Sequence, residues 1–423
     1  MTWNIKVKII MNILDLFSGC GGLTEGFRSD FFEIMCHIEM DENACNSLKT
    51  REAYYFLNEN DQIGIYESYL NGEIDRNELY SYIPNALLDK IINSTISYET
   101  INPLIDEINK LKGNSRIDGI IGGPPCQAYS TIGRARNENK KERDNRIYLY
   151  KYYSYFLEYY SPKFFIFENV KGLLSYKDQF DEKLLPKIIE EFESLNYDVH
   201  FKIINSADYG VPQKRERLFI FGIKQDEGIN AELFFDNLSL KRGEVITLRE
   251  LFNDLPVLHS GETVNEYNNS QPNDFVQRYI RNENDILTQN ISRINNDRDK
   301  QIYHHVSLAK SNGINLKYNE LPKNLKSHKN DTHFIDRFKS LDFNDVSHTL
   351  VAHISKDGHY YIHPDINQNR SITVREAARI QTFPDNFYFE SSRTAAFRQI
   401  GNAVPVVLSK KIASAIEEIF AAN

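Results

Sequence analysis

The stretch GGPPCQAYS, residues 122–130, places Cys126 directly after two glycines and two prolines. Proline fixes its own φ and restricts the residue before it, whereas glycine permits a sharp turn. The segment therefore predicts a short rigid arm that holds Cys126 in one direction. A cysteine that only fills a core needs no such mounting, so we interpret Cys126 as a nucleophile. Because a free thiol is only about 3% ionised at pH 7, its site must also supply a basic setting or a proton acceptor.

Two further segments carry groups that suit the same chemistry. The sequence ENV places Glu168 at the end of a predicted strand, and QKRER provides Arg215 and Arg217 just before another. Alone, Glu168 would more often cap a strand, and Arg217 would more often form a surface ion pair. A thiol, a carboxyl group and a guanidinium group that lie side by side, however, suit nucleophilic attack on an electron-poor heterocycle.

A glycine-rich loop predicts the binding of a cofactor. DLFSGCGGLTEGF, residues 15–27, follows a predicted strand and opens a predicted helix, where unpaired backbone N–H groups can meet a ligand. The dinucleotide spacing GxGxxG is not met, because position 24 is threonine. Glu39, at the end of the second predicted strand, is placed to accept hydrogen bonds from a ribose diol. The pattern favours a nucleoside-bearing cofactor, although a dinucleotide enzyme or a tight turn with a capping acid would also use such residues.

The elements that must position these groups alternate between apolar runs and helical patterns. This alternation predicts an α/β fold with a doubly wound, mostly parallel sheet that binds ligands at the carboxyl ends of its strands. Met11 heads the first strand, so residues 1–10 are either a dispensable leader or the product of an upstream start. The predicted strands cover residues 8–17, 33–39, 116–123, 162–170, 198–204 and 217–223.

The pattern divides the chain into two domains. A catalytic domain is predicted over residues 11–245, with an insertion at about 52–113, and is completed by residues 394–423. Between these parts, residues 246–393 contain asparagine-rich pieces and weak periodicity, which predicts a smaller, loop-rich domain.

Composition excludes several classes of protein. The 423 residues carry a formal net charge of −9, which argues against non-specific coating of nucleic acid but permits a local basic cleft. The 4 cysteines form no CxxC pair and the histidines match no ligand spacing, so we expect reduced thiols in the cytoplasm and no metal. No apolar run approaches the roughly 20 residues of a membrane span.

Six segments, in chain order, resemble the motifs of the DNA (cytosine-5)-methyltransferases: DLFSGCGG, GGPPCQAYS, ENV, QKRER, REAARIQTFPD and RQIGNAVP. The resemblance covers most of residues 11–223 and 371–413. It implies methyl transfer from S-adenosylmethionine to cytosine in a specific DNA sequence, with residues 246–393 as the target-recognition domain. It also implies double-stranded DNA as partner, a monomer, and a bacterial or phage restriction-modification system with a separately acting restriction endonuclease.

The resemblance assigns roles to single residues. Cys126 would add to C6 of cytosine, and Glu168 would contact N3 and the exocyclic amine. Arg217 would hold O2, supported by Arg215. Met40 departs from the family pattern, since an aromatic side chain often stacks on adenine there, and the acid that reads the adenine amine has no recognisable counterpart. The implied cofactor pocket consists of Phe17, Gly19, Cys20, Gly22, Glu39, Met40, Pro125, Asn402 and Val404.

Attack on C6 also requires access to the base. A stacked cytosine is out of reach, so it must rotate out of the duplex, as methyltransferases are known to achieve. The polar stretch at residues 130–146 is predicted to close as a lid on DNA phosphates. Residues 346–365 are expected to border the DNA groove. The expected DNA contacts are Gln127, Ser130, Arg134 and Arg136.

Other functions fit the sequence less well. A zinc nucleobase deaminase would match HIE and PPC, but position 129 is tyrosine where a second cysteine ligand is required. A dehydrogenase would need a complete dinucleotide fingerprint, and a non-catalytic DNA-binding relative would not need the thiol, acid and arginine. A tRNA methyltransferase of the same family is the nearest alternative, and the large second domain and basic lid favour DNA over it.

Overall fold

The computed structural model describes residues 10–125, 145–326 and 335–421. In that part of the chain the larger sheet has the strand order β3-β2-β1-β4-β5-β8-β6, and β7 pairs with β9 in a separate ladder. The strands are β1 (Met11–Leu16), β2 (Phe32–Glu39), β3 (Ile91–Asn93), β4 (Gly119–Gly122), β5 (Phe164–Val170), β6 (Tyr197–Asn205), β7 (Gln213–Lys214), β8 (Glu216–Lys224) and β9 (Ser347–His348).

The large sheet is mostly parallel, as predicted. Its strand β8 runs antiparallel to both neighbours, β5 and β6, while β3, β2, β1, β4 and β5 pair in parallel. Ile13 and Leu14 are both fully buried, although adjacent residues of a strand point to opposite faces. Such strands are covered on both sides, which explains why they read as continuous apolar runs rather than as alternating ones.

Helices cover both faces of the sheet and make the fold doubly wound. The helices are α1 (Glu42–Glu59), α2 (Ile63–Leu70), α3 (Arg76–Ser81), α4 (Asn85–Leu88), α5 (Ile101–Lys112), α6 (Leu149–Tyr160), α7 (Leu184–Ser194), α8 (Glu232–Ser239), α9 (Leu248–Leu251), α10 (Asp274–Tyr279), α11 (Asp297–Ser311), α12 (Val374–Ile380), α13 (Arg393–Asn402) and α14 (Val406–Ala421). On one face α5, α6 and α7 join a core that includes Leu14, Phe165 and Phe167. On the other, α8 and α14 join a core that includes Ile13, Phe164 and Phe221.

The predicted insertion at residues 52–113 includes elements that belong to the central sheet and its cover. Helix α1 continues through residue 59, and β3 pairs in parallel with β2 as an edge strand of the central sheet. Helix α5 then packs on that sheet through Leu104, Ile105 and Ile108. A strand of three residues gives too little apolar pattern to be recognised in the sequence. The segment outside the sheet core is therefore the group of short helices α2 to α4, which form a small cluster around Tyr66 together with Ala53 and Leu57 of α1.

The loop-rich second domain is continuous in its packing with the end of the chain. One buried cluster joins Leu248 and Leu251 of α9 with Ala377 of α12 and Ile400 of α13, so the boundary predicted at 393 falls inside a single core. Arg370, Arg375 and Arg379 are fully buried in this region. Their guanidinium groups bind carboxylates and backbone carbonyls that short loops leave without sheet partners.

Among the described residues, no helix combines the length and hydropathy that crossing a bilayer would require. The same part of the chain holds no group of three or more histidine, cysteine or acidic side chains that could bind a metal ion. Cys20, Cys36 and Cys45 are free, buried thiols.

Arg379 offers a test of how the second domain is held together. Its guanidinium group donates to Asp254 and Asp385, with Nη2 lying 2.6 Å from Asp385 Oδ2, and both carboxylates are buried. Arg379→Met would leave two buried acids without this partner, so we expect a loss of about 3–5 kcal/mol in the free energy of unfolding, measured by denaturant titration. Lys177→Ala removes an exposed pair with Asp181 and should cost under about 1 kcal/mol. Equal losses in the two variants would contradict this account.

Candidate active site

The site forms where the strand order of the sheet reverses. From β1 the chain builds outward through β2 and β3, and then returns to place β4 on the other side of β1. Leu16 of β1 and Gly122 of β4 are register partners, so the loops that follow both strands leave the sheet together. Ligands of doubly wound sheets bind in the crevice at this position. The topology therefore brings the glycine-rich loop and the GGPP arm to one crevice.

The glycine-rich loop is held in an unusual conformation by Glu39. Phe17 and Gly19 have φ values of 56° and 55°, and Phe17 pays a steric penalty there that glycine avoids. The Gly19 N–H donates to Glu39 Oε2 at 2.8 Å, and the Asp41 N–H donates to Oε1 at 2.8 Å. Burial raises the pKa of Glu39, while these N–H groups oppose the rise. Glu39 thus ties the loop to the end of β2, and each of its oxygens retains a lone pair for a ligand.

Thr24 explains why the dinucleotide spacing fails. Its hydroxyl group donates to Asp15 Oδ2, which also lies 3.2 Å from His37 Nδ1, and all three residues are buried. Burial lowers the pKa of His37, with Asp15 opposing the shift. A glycine at position 24 has no side chain and could not bind Asp15. Thr24 therefore takes the place of the third glycine of GxGxxG and fixes the loop to β1. Asp15 and Thr24 are the two residues from which the sequence could have indicated this contact.

The remaining predicted cofactor residues lie around the same loop. Gly22 packs against the turn after α13, where an added Cβ would overlap the Val404 carbonyl and lie 2.9 Å from the Ala403 Cβ. Asn402 is exposed at the end of α13, and Met40 is 61% exposed after β2, so both side chains are accessible to a ligand. Cys20 differs, because its side chain is buried in the cluster that joins α9, α12 and α13.

Sequence reasoning missed a set of polar residues at the end of β3. Asn93 Nδ2 and the Ser94 N–H both donate to the Glu39 carbonyl at 3.0 Å, which brings this segment beside Met40. The amide of Asn93 also lies 3.3 Å from Cys45 Sγ. Because β3 was taken as part of an insertion, its carboxyl end was not counted among the strand ends that line the crevice.

Glu168 and Arg217 are brought together by neighbouring strands. Val170 of β5 pairs with Arg217 of β8, and the Arg217 Nε lies 3.2 Å from Glu168 Oε1. The two side chains are only 15% and 14% exposed, so a partner entering the crevice could still reach them. Burial raises the pKa of Glu168, while the charges of Arg217 and Arg215 oppose the rise. The site therefore holds an acid that takes up a proton more readily than usual, beside a guanidinium group.

Arg215 lies on the same segment but makes different contacts. It is 1% exposed, and its Nη1 donates to the carbonyls of Leu350 at 2.7 Å and Gly401 at 3.2 Å. It is therefore placed between the second domain and the turn near Asn402, rather than beside Glu168. A catalytic role for Arg215 stays a prediction.

The arm that precedes Cys126 is anchored against Glu168. An added Cβ on Gly123 would overlap the Glu168 carbonyl and lie 2.9 Å from its Oε2, so only glycine permits this approach. Asn169 Nδ2 donates to the Pro124 carbonyl at 3.3 Å. Pro125 is the last described residue of the arm. The predicted nucleophile and DNA contacts, Cys126, Gln127, Ser130, Arg134 and Arg136, lie outside the described residues.

Comparison with known proteins identifies relatives over nearly the whole chain. The family model for C-5 cytosine-specific DNA methylase matches residues 11–75 and 56–418. A type II methyltransferase of Bacillus paralicheniformis is 39% identical, and the alignment covers 97% of this chain and 99% of the relative. A type II methyltransferase of Desulfomicrobium norvegicum is 30% identical, with 97% of this chain and 89% of the relative covered.

Solved structures share the fold. A prophage-encoded protein of Escherichia coli, described as a candidate DNA modification methyltransferase, superposes with a TM-score of 0.63 at 23% identity, covering 97% of this chain and 99% of its own. A methyltransferase of Entamoeba histolytica superposes with a TM-score of 0.52 at 15% identity, covering 97% and 98% of the two chains. At these identities the superpositions confirm the predicted fold class and say nothing about substrate.

The raised pKa of Glu168 predicts that ionisation of this carboxyl group lowers the free energy of unfolding. Since the pKa is higher in the folded than in the unfolded chain, the ionised carboxylate destabilises the fold as pH rises from the unfolded value through the folded one. Glu168→Gln removes that charge. We therefore expect its unfolding temperature to equal or exceed that of the wild type at pH 8, measured by differential scanning fluorimetry.

A neighbouring acid provides the control for this prediction. Glu216 is 51% exposed and pairs with Lys171, so Glu216→Gln should leave the unfolding temperature nearly unchanged across the same pH range. If Glu168→Gln were less stable than the wild type at pH 8 while Glu216→Gln was not, the assigned direction of the Glu168 shift would be wrong.

Proposed function

This chain belongs to the C-5 cytosine-specific DNA methylase family, and from that premise we propose how it carries out methylation of cytosine at C5. The methyl group comes from S-adenosylmethionine, the base is flipped out of double-stranded DNA, and Cys126 forms a transient bond to C6. The observation that carries the proposal is the Glu168–Arg217 pair, which lies against the arm leading to Cys126.

The crevice residues fit the proposed cofactor. S-adenosylmethionine, when bound, supplies an electrophilic methyl group. Glu39, which holds the glycine-rich loop through the Gly19 N–H, also offers a carboxylate oxygen for a ribose diol. Met40 and Asn402 present accessible side chains at its borders. A polar ligand with a sugar and a flat ring therefore finds hydrogen-bonding groups and open surface in one place.

The reacting centre divides the chemistry of the base among three side chains. C5 of cytosine is too weak a nucleophile until C6 is attacked, and addition of the Cys126 thiolate makes C5 electron-rich. The negative charge that develops on the ring is neutralised when Glu168 donates a proton towards N3, for which its raised pKa suits it. Arg217 holds O2 of the ring. C5 would then form a bond to the methyl carbon as the methyl–sulfur bond of S-adenosylmethionine breaks, with S-adenosylhomocysteine as the leaving group. Water would take up the C5 proton, N3 would return its proton to Glu168, and expulsion of the Cys126 thiolate would restore the aromatic ring.

Two relatives also suggest a biological setting. The proteins of Bacillus paralicheniformis and Desulfomicrobium norvegicum are type II methyltransferases of bacteria, so we place this chain in a bacterial or phage-encoded restriction-modification system in the cytoplasm. It would act on DNA as a monomer, and a restriction endonuclease of the same specificity would act separately. Residues 246–393 would read the recognition sequence.

Incubation with tritiated S-adenosylmethionine and unmodified DNA tests this function. We expect 5-methylcytosine at one sequence context, mapped by bisulfite sequencing, and no incorporation into unmodified tRNA offered in competition. Cys126→Ser should abolish transfer, because a hydroxyl group is far less ionised than a thiol at neutral pH.

The thiol control is Cys36→Ala. Cys36 is buried in the sheet core away from the crevice, so its loss should lower stability but not abolish transfer. Transfer of tritium to tRNA and not to DNA would favour the tRNA-modifying alternative. Transfer that persists in Cys126→Ser would refute the covalent route.

A further inference from the structure

The motif QKRER contains a buried glutamine that joins three parts of the molecule. Gln213 is fully buried, and its Nε2 donates to Gln381 Oε1 at 2.9 Å. Its Oε1 accepts the Leu350 N–H at 2.7 Å. One side chain thus links the strand that leads to Arg217, the second-domain segment after β9, and helix α12 with its following turn.

The same partners are bound a second time by Arg215. The carbonyl of Leu350 accepts from Arg215 Nη1, so both backbone groups of Leu350 are bound by this motif. Arg215 Nη1 also donates to the Gly401 carbonyl. Gln381 Nε2 adds bonds to the carbonyls of Ile400 at 2.7 Å and Ala403 at 3.2 Å. The last residues of α13 and its cap, residues 400–403, are called the 400–403 turn below, and two buried side chains therefore hold them.

Alternation along the strand explains how one motif does this. Gln213 and Arg215 are buried and Arg217 is partly buried, whereas Lys214 and Glu216 are exposed. Side chains two residues apart leave an extended segment on the same face. The first two inward side chains hold the second domain and the 400–403 turn, and the third, Arg217, reaches Glu168.

We propose that Gln213 and Arg215 are positioning residues that fix the DNA-facing segment after β9 and the cofactor-facing turn at Asn402 relative to Arg217. This inference rests on the proposed function, in which Asn402 faces the cofactor and residues 346–365 border the DNA groove. Because Gln213 and Arg215 are buried and hydrogen-bonded to both parts, removing either side chain releases the turn and the segment together. Loss of either positioning residue therefore weakens cofactor and DNA binding together, whereas loss of a group that touches only the base would lower kcat alone.

The test measures binding of S-adenosylhomocysteine by isothermal titration calorimetry without DNA, alongside kcat and both KM values for methyl transfer. Gln213→Met keeps the volume of the side chain and removes its hydrogen bonds. We expect at least a 10-fold weaker affinity for S-adenosylhomocysteine and a similar rise in the KM for DNA. Arg215→Lys keeps one donor, so it should lose less than Arg215→Met in both quantities.

The matched control is Gln368→Met in the second domain. Gln368 is 5% exposed, and its Oε1 accepts the Leu258 N–H at 3.1 Å, so its removal also breaks a buried bond between a glutamine and a backbone leucine. It does not contact the motif or the 400–403 turn. We expect a comparable loss of thermal stability with the affinity for S-adenosylhomocysteine unchanged.

The outcomes separate this inference from the function beneath it. A wild-type protein that neither binds S-adenosylhomocysteine nor methylates DNA would overturn both. A wild-type protein that does both, with Gln213→Met and Arg215→Met binding equally well, would overturn the positioning role alone. The same would follow if Gln368→Met changed affinity as much as they do. If Gln213→Met fails to fold, the affinities and KM values of Arg215→Lys and Arg215→Met still test the positioning role, which requires a smaller loss in Arg215→Lys.

Discussion

Parallel pairing between β1 and β4 is the constraint on which the site depends. The register that joins Leu16 to Gly122 makes the chain leave both strands at one point of the sheet. Both exits are possible only because glycine occupies the tight positions: an added Cβ on Gly122 would overlap the Leu16 carbonyl, and one on Gly123 would overlap that of Glu168. The cofactor loop and the arm before Cys126 are neighbours for this reason, although about a hundred residues separate them in the sequence.

The second organising feature is electrostatic. β8 enters the sheet antiparallel to β5, so the start of one strand meets the end of the other and places Arg217 beside Glu168. Burial favours the neutral acid and the guanidinium group favours the carboxylate, with burial the larger influence. An acid balanced in this way can hold a proton for a ring nitrogen without a metal or a histidine. Its neighbours Gln213 and Arg215 give the segment a fixed position in the fold.

Much of this could be predicted from the sequence, for physical reasons. Central parallel strands are buried on both faces, so their apolar runs were visible, and the glycines, prolines and charged groups at their ends marked the crevice. β3 was missed because its three residues carry too little pattern, and with it the polar groups Asn93 and Ser94 were missed. Arg215 was grouped with Arg217 because spacing along a strand shows which side chains share a face but not what each one contacts. The buried cluster that spans the predicted boundary at 393 was not visible either, because it forms between segments far apart in the chain.

The proposed mechanism requires a covalent bond between the Cys126 sulfur and C6 of a cytosine that has rotated out of the duplex. A duplex that carries 5-fluorocytosine at the methylated position, incubated with the protein and S-adenosylmethionine, measures this bond directly, because fluorine at C5 cannot be lost as a proton. Mass spectrometry should then find a stable adduct of protein, oligonucleotide and one methyl group, attached at Cys126. Full methylation of the unsubstituted duplex with no adduct on the fluorinated one, or an adduct at another residue, would contradict the account.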